Sequence, residues 1–352
     1  MARIVVGMSG GVDSSVAALL LKRAGHEVIG VFMKNWEDDD DSEYCSSRQD
    51  FLDAASAAEK IGIDLEAVNF AKEYKERVFS EFLREYQAGR TPNPDVLCNS
   101  EIKFNAFLDY AMELGAEKIA TGHYARIMQL PNGRYTIRNS VTAAKDQTYA
   151  LYNLTQDQLA HTLMPVGSYT KDQIREIAEE IGIPVAHKPD SQEICFIPDH
   201  DYAKYIRENT DTELPPGNFV DLDGNILGKH LGITHYTVGQ RKGLNLSMGK
   251  PVFVVEIRPE TNEVVIGDSK DVFSDHLTCD HLNWMSVDGL HGETMKVTAK
   301  IRYSHKGAPC EIREIGPDLV EVQFKEPQRA ITPGQAVVFY DGDYVVGGGV
   351  IR

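Results

Sequence analysis

Over the first 200 residues, short apolar runs alternate with longer mixed stretches. RIVVGM (Arg3 to Met8), HEVIGVFM (His26 to Met33), DLEAVNF (Asp64 to Phe70) and EKIATGHY (Glu117 to Tyr124) read as strands. Between them lie stretches of helical period: 12–25, 47–62, 74–89 and 100–115. Each closes on a glycine, the usual helix terminator. In the last, Phe104, Phe107, Leu108 and Ala111 recur at helical spacing. Strand–helix alternation of this kind predicts an α/β unit, a parallel sheet with helices on both faces.

The pattern changes near residue 200. After Tyr205 the chain is rich in Gly, Pro and β-branched residues, with DG and ETNE between apolar runs as hairpin turns. From 273 onward MKVTAKIRY, PCEIREI, LVEVQF and AVVFYDGDYVVGGGVI continue the strand pattern. The expected division is an N-terminal α/β domain over 1–200, a small β-rich central domain over 201–272 and a C-terminal β-barrel over 273–352.

Composition fits a globular chain: 352 residues, 42% apolar and 25% charged. No run reaches the about 18 apolar residues that span a membrane, so no membrane partner is expected. The chain opens directly on a strand, and no leader is expected. The formal charge of −17 argues against broad, sequence-independent nucleic-acid binding, yet it leaves room for a local basic groove. Much of the acidity sits in WEDDDDSEY (Trp36 to Tyr44), read as a solvated loop. The five cysteines, at 45, 98, 195, 279 and 310, are odd in number and widely spread. They form no C-x-x-C pair, so neither a disulfide scaffold nor a zinc ribbon is expected, and the compartment is the reducing cytoplasm.

The chemistry concentrates in two places. The first is GMSGGVDSS (Gly7 to Ser15), a small-residue loop between strand and helix. Gly7, Gly10 and Gly11 let backbone N–H groups approach an anion. The following helix offers its N-terminal dipole, and Ser9, Ser14 and Ser15 add hydroxyls. The lysine of a Walker loop is missing, as is the Rossmann glycine pattern. Asp13 beside a phosphate makes sense through a Mg²⁺ bridge or as a helix cap. The second place is a pair of cysteines. Cys98 in GRTPNPDVLCN is read as lying just before a helix start, where the dipole lowers a thiol pKa. Cys195 in KPDSQEICFIP follows a polar run with Lys188 close by. Cys279 and Cys310 fall among strands and read as packing.

The loop SGGVDS resembles that of the ATP-pyrophosphatase (PP-loop) superfamily. SGGVDSS, FMKNW, GRTPNPDVLCN, ATGHY, KDQTY, DSQEICFI and HYTVGQRKGL, in that order, are similar to the bacterial tRNA 2-thiouridylase family over nearly the whole chain. The resemblance implies an adenine nucleotide alpha hydrolase-like fold and ATP-dependent replacement of the wobble uridine C2 oxygen by sulfur. It implies ATP and Mg²⁺ as cofactors, with Gly7, Met8, Ser9, Gly10, Gly11, Val12, Asp13 and Ser14 around the phosphates, Met33 against the adenine and Gly122 near the nucleotide. It assigns Cys195 the persulfide, Cys98 the nucleophile that closes a Cys98–Cys195 disulfide, and Asp95 the acid/base role. The target base would lie among Asn93, Pro94 and Asp95. Contacts to the rest of the tRNA would come from His123, Lys145, Asp146, Gln147, Arg302, Tyr303 and Gln335. Partners implied are tRNA of the Lys, Glu and Gln type and an upstream sulfur carrier or cysteine desulfurase.

Three rivals stay open on the residues alone: an amide-forming synthetase with the same loop, an ATP- and RNA-binding module with inert cysteines, and an iron–sulfur thiolase. The sulfur species also stays open, since Cys98 could instead release hydrogen sulfide from the persulfide.

Overall fold

The computed structural model describes residues 1–36, 46–188 and 215–352. The N-terminal unit is built on a fully parallel five-stranded sheet. Its strands are β1 (Arg3–Gly7), β2 (Glu27–Lys34), β3 (Asp64–Asn69), β4 (Lys118–Ala120) and β7 (Thr162–Leu163), in the order β3-β2-β1-β4-β7. All four strands expected from the apolar runs are present. The order reverses at β1, which pairs with β2 on one side and β4 on the other. That is the switch point at which open α/β sheets bind ligands, beyond the carboxyl ends of the strands.

Helices α1 (Val12–Arg23) and α2 (Ser46–Ile61) follow β1 and β2. A continuous helical run, α3, spans 71–87 with a π turn at Lys75–Phe79, and α4 spans 94–113 with a π stretch at Cys98–Ala106. The terminating glycines after these four helices, Gly25, Gly62, Gly89 and Gly115, all take left-handed φ between 69° and 86°. Helix α5 (Lys171–Glu180) is opened by a capping box between Thr170 and Gln173. The sheet buries both faces. Val6, Met8, Val16, Ala54, Ala57, Ile174 and Ala178 fill one side, and Val5, Val31, Phe104, Phe107 and Ile119 the other.

The last of the four predicted helices begins earlier than expected. Asn93 caps α4, accepting from the Val96 N–H at 3.3 Å, and Pro94 follows at the first helical position. Cys98 therefore lies one turn inside a helix, not in a loop before one.

The central part forms a four-stranded sheet ordered β10-β11-β8-β9, from β8 (Gly217–Val220), β9 (Ile226–His230), β10 (Phe253–Arg258) and β11 (Glu263–Gly267). The C-terminal part is a closed barrel. Strands β12 (Phe273–Trp284), β15 (Leu319–Arg329), β14 (Ala308–Gly316), β13 (Thr294–Lys300), β16 (Ala336–Asp341) and β17 (Tyr344–Ile351) pair in that order, and β12 returns to β17. Its interior holds Cys279 and Cys310, as their setting predicts. Burial pushes both thiols up, Cys310 to about 12, so neither is a thiolate at neutral pH.

One hairpin joins the first part of the chain to the last. Strands β5 (Ala125–Gln129) and β6 (Tyr135–Asn139) pair with each other, and β6 adds to the edge of β17 through Arg138 and Tyr344. Arg134 donates to the carbonyls of Trp284 and Met285, and the Thr136 hydroxyl to the Val345 carbonyl at 2.6 Å. Ile137, Tyr149 and Tyr152 then share one apolar cluster with Met285, Val338 and Tyr340. The barrel is thereby fused to the helical face of the sheet that carries α4.

Candidate active site

The loop from Met8 to Gly11 leaves the carboxyl end of β1. The Met8 N–H is tied to the Val31 carbonyl at 2.8 Å, and the Ser14 hydroxyl receives the Ser9 N–H at 3.2 Å. Ser14 and Ser15 donate back to the Gly11 carbonyl at 3.2 and 2.9 Å. Gly11 is the N-cap of α1 and provides no side-chain cap. The first N–H groups of this twelve-residue helix thus have no capping side chain to donate to, the arrangement that cradles an anion. Gly10 takes φ +75°, and a Cβ there would lie 2.2 Å from the Asp50 carbonyl. Gly122, just past β4, is packed against the same helix start: a Cβ would lie 2.6 Å from the Ser14 nitrogen and 2.8 Å from the Asp13 carbonyl carbon. Met33 reaches over Gly7, where an added Cβ would lie 2.9 Å from its methyl. Every member of the expected nucleotide set, including Val12 in the first turn of α1, therefore lies on this loop or against it.

Asp13 is neither a free carboxylate nor a cap. Lys171 at the start of α5 contacts both its oxygens at 2.8 Å, and the Tyr124 hydroxyl donates to one at 2.7 Å. Lys171 is only 8% exposed and its ammonium lies 5.9 Å from the Tyr124 ring centre. This buried cation neutralises a carboxylate that would otherwise repel phosphate. Sequence reasoning misses it, although the Thr170–Gln173 capping box marks the helix start it belongs to. Lys188 closes the other flank, bonded to Asp50 at 2.6 Å, Asp53 at 2.5 Å and the Gly10 carbonyl at 3.4 Å. Burial works against its charge, but the two carboxylates outweigh it and hold its pKa above the usual lysine value. Lys188 is thus engaged with the nucleotide loop.

Tyr124 connects this loop to the KDQTY segment. The Gln147 side chain accepts the Tyr124 N–H at 2.8 Å, and the Gln147 N–H returns to the Tyr124 carbonyl at 3.1 Å. Lys145 ends a short 3-10 turn. Asp146 accepts the Ser140 N–H at 2.8 Å and the Thr148 hydroxyl at 2.6 Å, and its carbonyl accepts the Tyr303 hydroxyl at 3.2 Å. Tyr303 is 54% exposed, its ring edge-on to Tyr149. Arg302 beside it donates to the Arg329 carbonyl. Asp95 is exposed on the first turn of α4, and its charge is felt at Tyr303. Asn93 lies near the buried Tyr149, whose hydroxyl donates to the Ala336 carbonyl at 2.9 Å. The Gln335 amide donates to the carbonyls of Thr91 and Pro92. The structure therefore brings Asn93, Pro94, Asp95, Asp146, Arg302, Tyr303 and Gln335 into one neighbourhood with Cys98.

His123 sits apart from that surface. It is buried, with Nδ1 2.8 Å from the Thr121 hydroxyl and its ring against Phe104. Burial, helped by the nearby Lys103 charge, lowers its pKa to about 3, so it is neutral in the folded protein. Cys98 is also buried, packed in the cluster around Phe104 and Phe107. Cys195, its proposed disulfide partner, lies outside the described residues, as does Cys45. No group of three His, Cys, Asp or Glu that could hold a metal is found among the described residues, and no described helix is long and apolar enough to cross a membrane.

A parallel sheet with an uncapped, glycine-lined helix start at its switch point, and no loop lysine, defines an α/β domain with an anion cradle beyond the carboxyl end of its first strand. Family models match in three pieces: a tRNA methyl transferase HUP domain over 2–199, its PRC-barrel domain over 203–268, and an aminomethyltransferase beta-barrel domain over 274–351. The tRNA-specific 2-thiouridylase MnmA of Lachnoclostridium phytofermentans is 57% identical over 100% of this chain and 99% of its own. That of Clostridioides difficile is 53% identical over 99% and 98%. The chain belongs to the tRNA-specific 2-thiouridylase family of enzymes. Among solved structures, a 4-thiouridine synthetase–RNA complex with bound ATP aligns at TM-score 0.34 and 20% identity, over 55% of this chain and 45% of that one. An NMN synthetase from Francisella tularensis aligns at TM-score 0.33 and 16% identity, over 54% of this chain and 66% of that one.

Proposed function

We propose that this chain thiolates the wobble uridine of tRNA at C2 in an ATP-dependent reaction within a three-part architecture (1–200, 201–272, 273–352). The observation that carries the reading is the pairing of two sites. An uncapped anion cradle at Gly7 to Ser14 is linked through Tyr124, Gln147 and Asp146 to the neighbourhood of Asp95 and Cys98. The relatives' names supply the substrate.

The residues present fit a polyphosphate. The α1 N–H groups and the Ser9 and Ser14 hydroxyls would meet its oxygens, Met33 would lie against the base, and Gly122 leaves no Cβ in the way. ATP bound there supplies an adenylyl group that turns the uridine C2 oxygen into a leaving group. A magnesium ion would be held chiefly by phosphate oxygens and water. Asp13, the loop's carboxylate, is committed to Lys171 and Tyr124.

The resemblance orders the sulfur steps. The terminal sulfur of a Cys195 persulfide, loaded by a sulfur-carrier protein or a desulfurase, attacks C2 and AMP departs. The Cys98 thiolate then attacks the Cys195 sulfur. The S–S bond to the base breaks, its electron pair becomes the thiocarbonyl, and a Cys98–Cys195 disulfide remains for a dithiol to reduce. Asp95, exposed beside the place of the base, would exchange the uridine N3 proton. The base must leave the anticodon stack to reach it, and Asn93 and Pro94 would flank it there. Lys145, Asp146, Gln147, Arg302 and Tyr303 make up the proposed tRNA contacts, with the Tyr303 ring offering a stacking face; Gln335 and His123, which the resemblance also assigns to the tRNA, are engaged within the protein. Substrates would be tRNAs of the Lys, Glu and Gln type, and the compartment the cytoplasm.

The test is AMP release from ATP with and without unmodified tRNA bearing a wobble uridine. The reading expects release that requires the tRNA. AMP formed equally with an amine acceptor and no tRNA would favour a synthetase.

A further inference from the structure

We infer that Gln335 is a positioning residue: it holds Thr91 and Pro92, and through them sets the start of α4, which carries Asp95 and Cys98. Both backbone groups of Thr91 are bound to one turn of the barrel. Its N–H donates to the Pro333 carbonyl at 2.9 Å, and its carbonyl accepts the Gln335 amide at 2.9 Å. The same nitrogen reaches the Pro92 carbonyl at 3.1 Å. A primary amide has two N–H donors, and these two carbonyls account for both. An RNA acceptor at that nitrogen would have to displace one of them.

The turn fits closely and is itself anchored. Gly334 lies against the segment with φ +90°, and a Cβ there would be 2.9 Å from both the nitrogen and the oxygen of Thr91. The Gly334 N–H donates to the Ile351 carbonyl, and the Ile351 N–H to the Gln335 carbonyl, both at 2.9 Å, so the last strand of the barrel grips the turn. On the other side the segment is stiff. Pro92 and Pro94 fix two of its φ angles. Asn93 caps α4, and nearby the Tyr149 hydroxyl donates to the Ala336 carbonyl next to Gln335. An orientation imposed at Thr91 therefore passes into the first turn of α4 with few soft torsions to absorb it. Asp95 lies in that turn, and Cys98 follows in the next.

The test uses the full chain and Gln335→Glu, which keeps the shape of the side chain but loses both donors. Three quantities are read: the alkylation rate of Cys98 by iodoacetamide, followed by peptide mass spectrometry, tRNA affinity, and the single-turnover thiolation rate at saturating tRNA. Positioning predicts a change of about tenfold in Cys98 alkylation and a fall of about tenfold in thiolation, with tRNA affinity held within about twofold. Tenfold weaker tRNA binding with Cys98 alkylation and saturated thiolation unchanged would make Gln335 an RNA contact and overturn the inference. Thr91→Gly loosens the same joint from the other side without touching the barrel. It should reproduce the Cys98 change, and an unaltered Cys98 in both folded variants also overturns the inference. The thiolation arm rests on the proposed function. If the unsubstituted protein forms no 2-thiouridine, that reading fails, while the Cys98 arm still decides the positioning role.

Discussion

The nucleotide loop and the Thr91–Cys98 segment are two short, proline- or glycine-marked stretches that the structure holds in different ways. The hydroxyl bonds that shape the first span three to five positions, from Ser9, Ser14 and Ser15 to Gly11 and each other. The second is held at Thr91 by Gln335, 244 positions later. A locally built loop depends on backbone that no side chain obstructs. A remotely built one depends on the barrel being docked. The first kind can be read from a local motif, and the second only from the fold.

The harshest way to break the nucleotide loop is Gly122→Val. Its branched side chain would start 2.6 Å from a backbone nitrogen of α1, which cannot step aside. ATP affinity measured by calorimetry should fall about 100-fold, roughly 3 kcal/mol. Gly25→Ala, where nothing lies within 4 Å, should leave ATP binding unchanged and cost only about 1 kcal/mol of stability for its left-handed φ.

Lys171→Met comes next. It strips the partner from a half-buried Asp13, and urea unfolding should show a loss of about 2 kcal/mol. Adding Asp13→Asn should restore more than half of it, the signature of a pair rather than of lost packing.

His123 gives a smaller, pH-graded effect. Its folded pKa, about 3, lies below the ordinary 6.5, so the unfolded chain binds a proton that the folded protein refuses. That contribution is complete above pH 6.5 and is lost as pH falls from there toward 3. Between pH 6.5 and 5.5 the native protein should lose roughly 1 kcal/mol more than His123→Asn in matched denaturation curves. His230, whose pKa burial also lowers, adds acid sensitivity of the same sign in the central sheet. Parallel curves for the two proteins would contradict the burial argument. Smallest of all, Arg313→Ala breaks an exposed pair with Glu321 on the barrel and should move stability by no more than about 0.5 kcal/mol. Thiolation should be untouched, since neither residue belongs to the Pro333–Gln335 turn or to the Thr91 segment that this turn holds.

Four of the five strands of the N-terminal sheet are legible in the sequence because each carries apolar positions between glycine-ended helices; β7, only Thr162–Leu163, leaves no such signal. The nucleotide loop is legible because its glycines and serines are contiguous. The β5–β6 hairpin is not: its strands pair with a partner edge about two hundred positions away, and its apolar residues are sparse. Helical period alone, counted over 100–115, misses the start of α4, although Asn93 followed by Pro94 is a cap and first-position signal. That error puts Cys98 at a helix start where its thiol would feel the dipole fully. It lies a turn further in, within the core. Lys171 escapes notice because nothing local distinguishes it from a surface lysine at a helix start, and only the fold brings it to Asp13.

The most direct test of the central claim is a thiolation assay. The protein is incubated with unmodified tRNA bearing a wobble uridine, ATP, Mg²⁺ and a persulfide donor, and digested nucleosides are examined by mass spectrometry. Cys195→Ala is run in parallel. The account predicts 2-thiouridine that requires ATP, with none from Cys195→Ala. Folded protein that binds the tRNA yet yields neither AMP nor 2-thiouridine would contradict it.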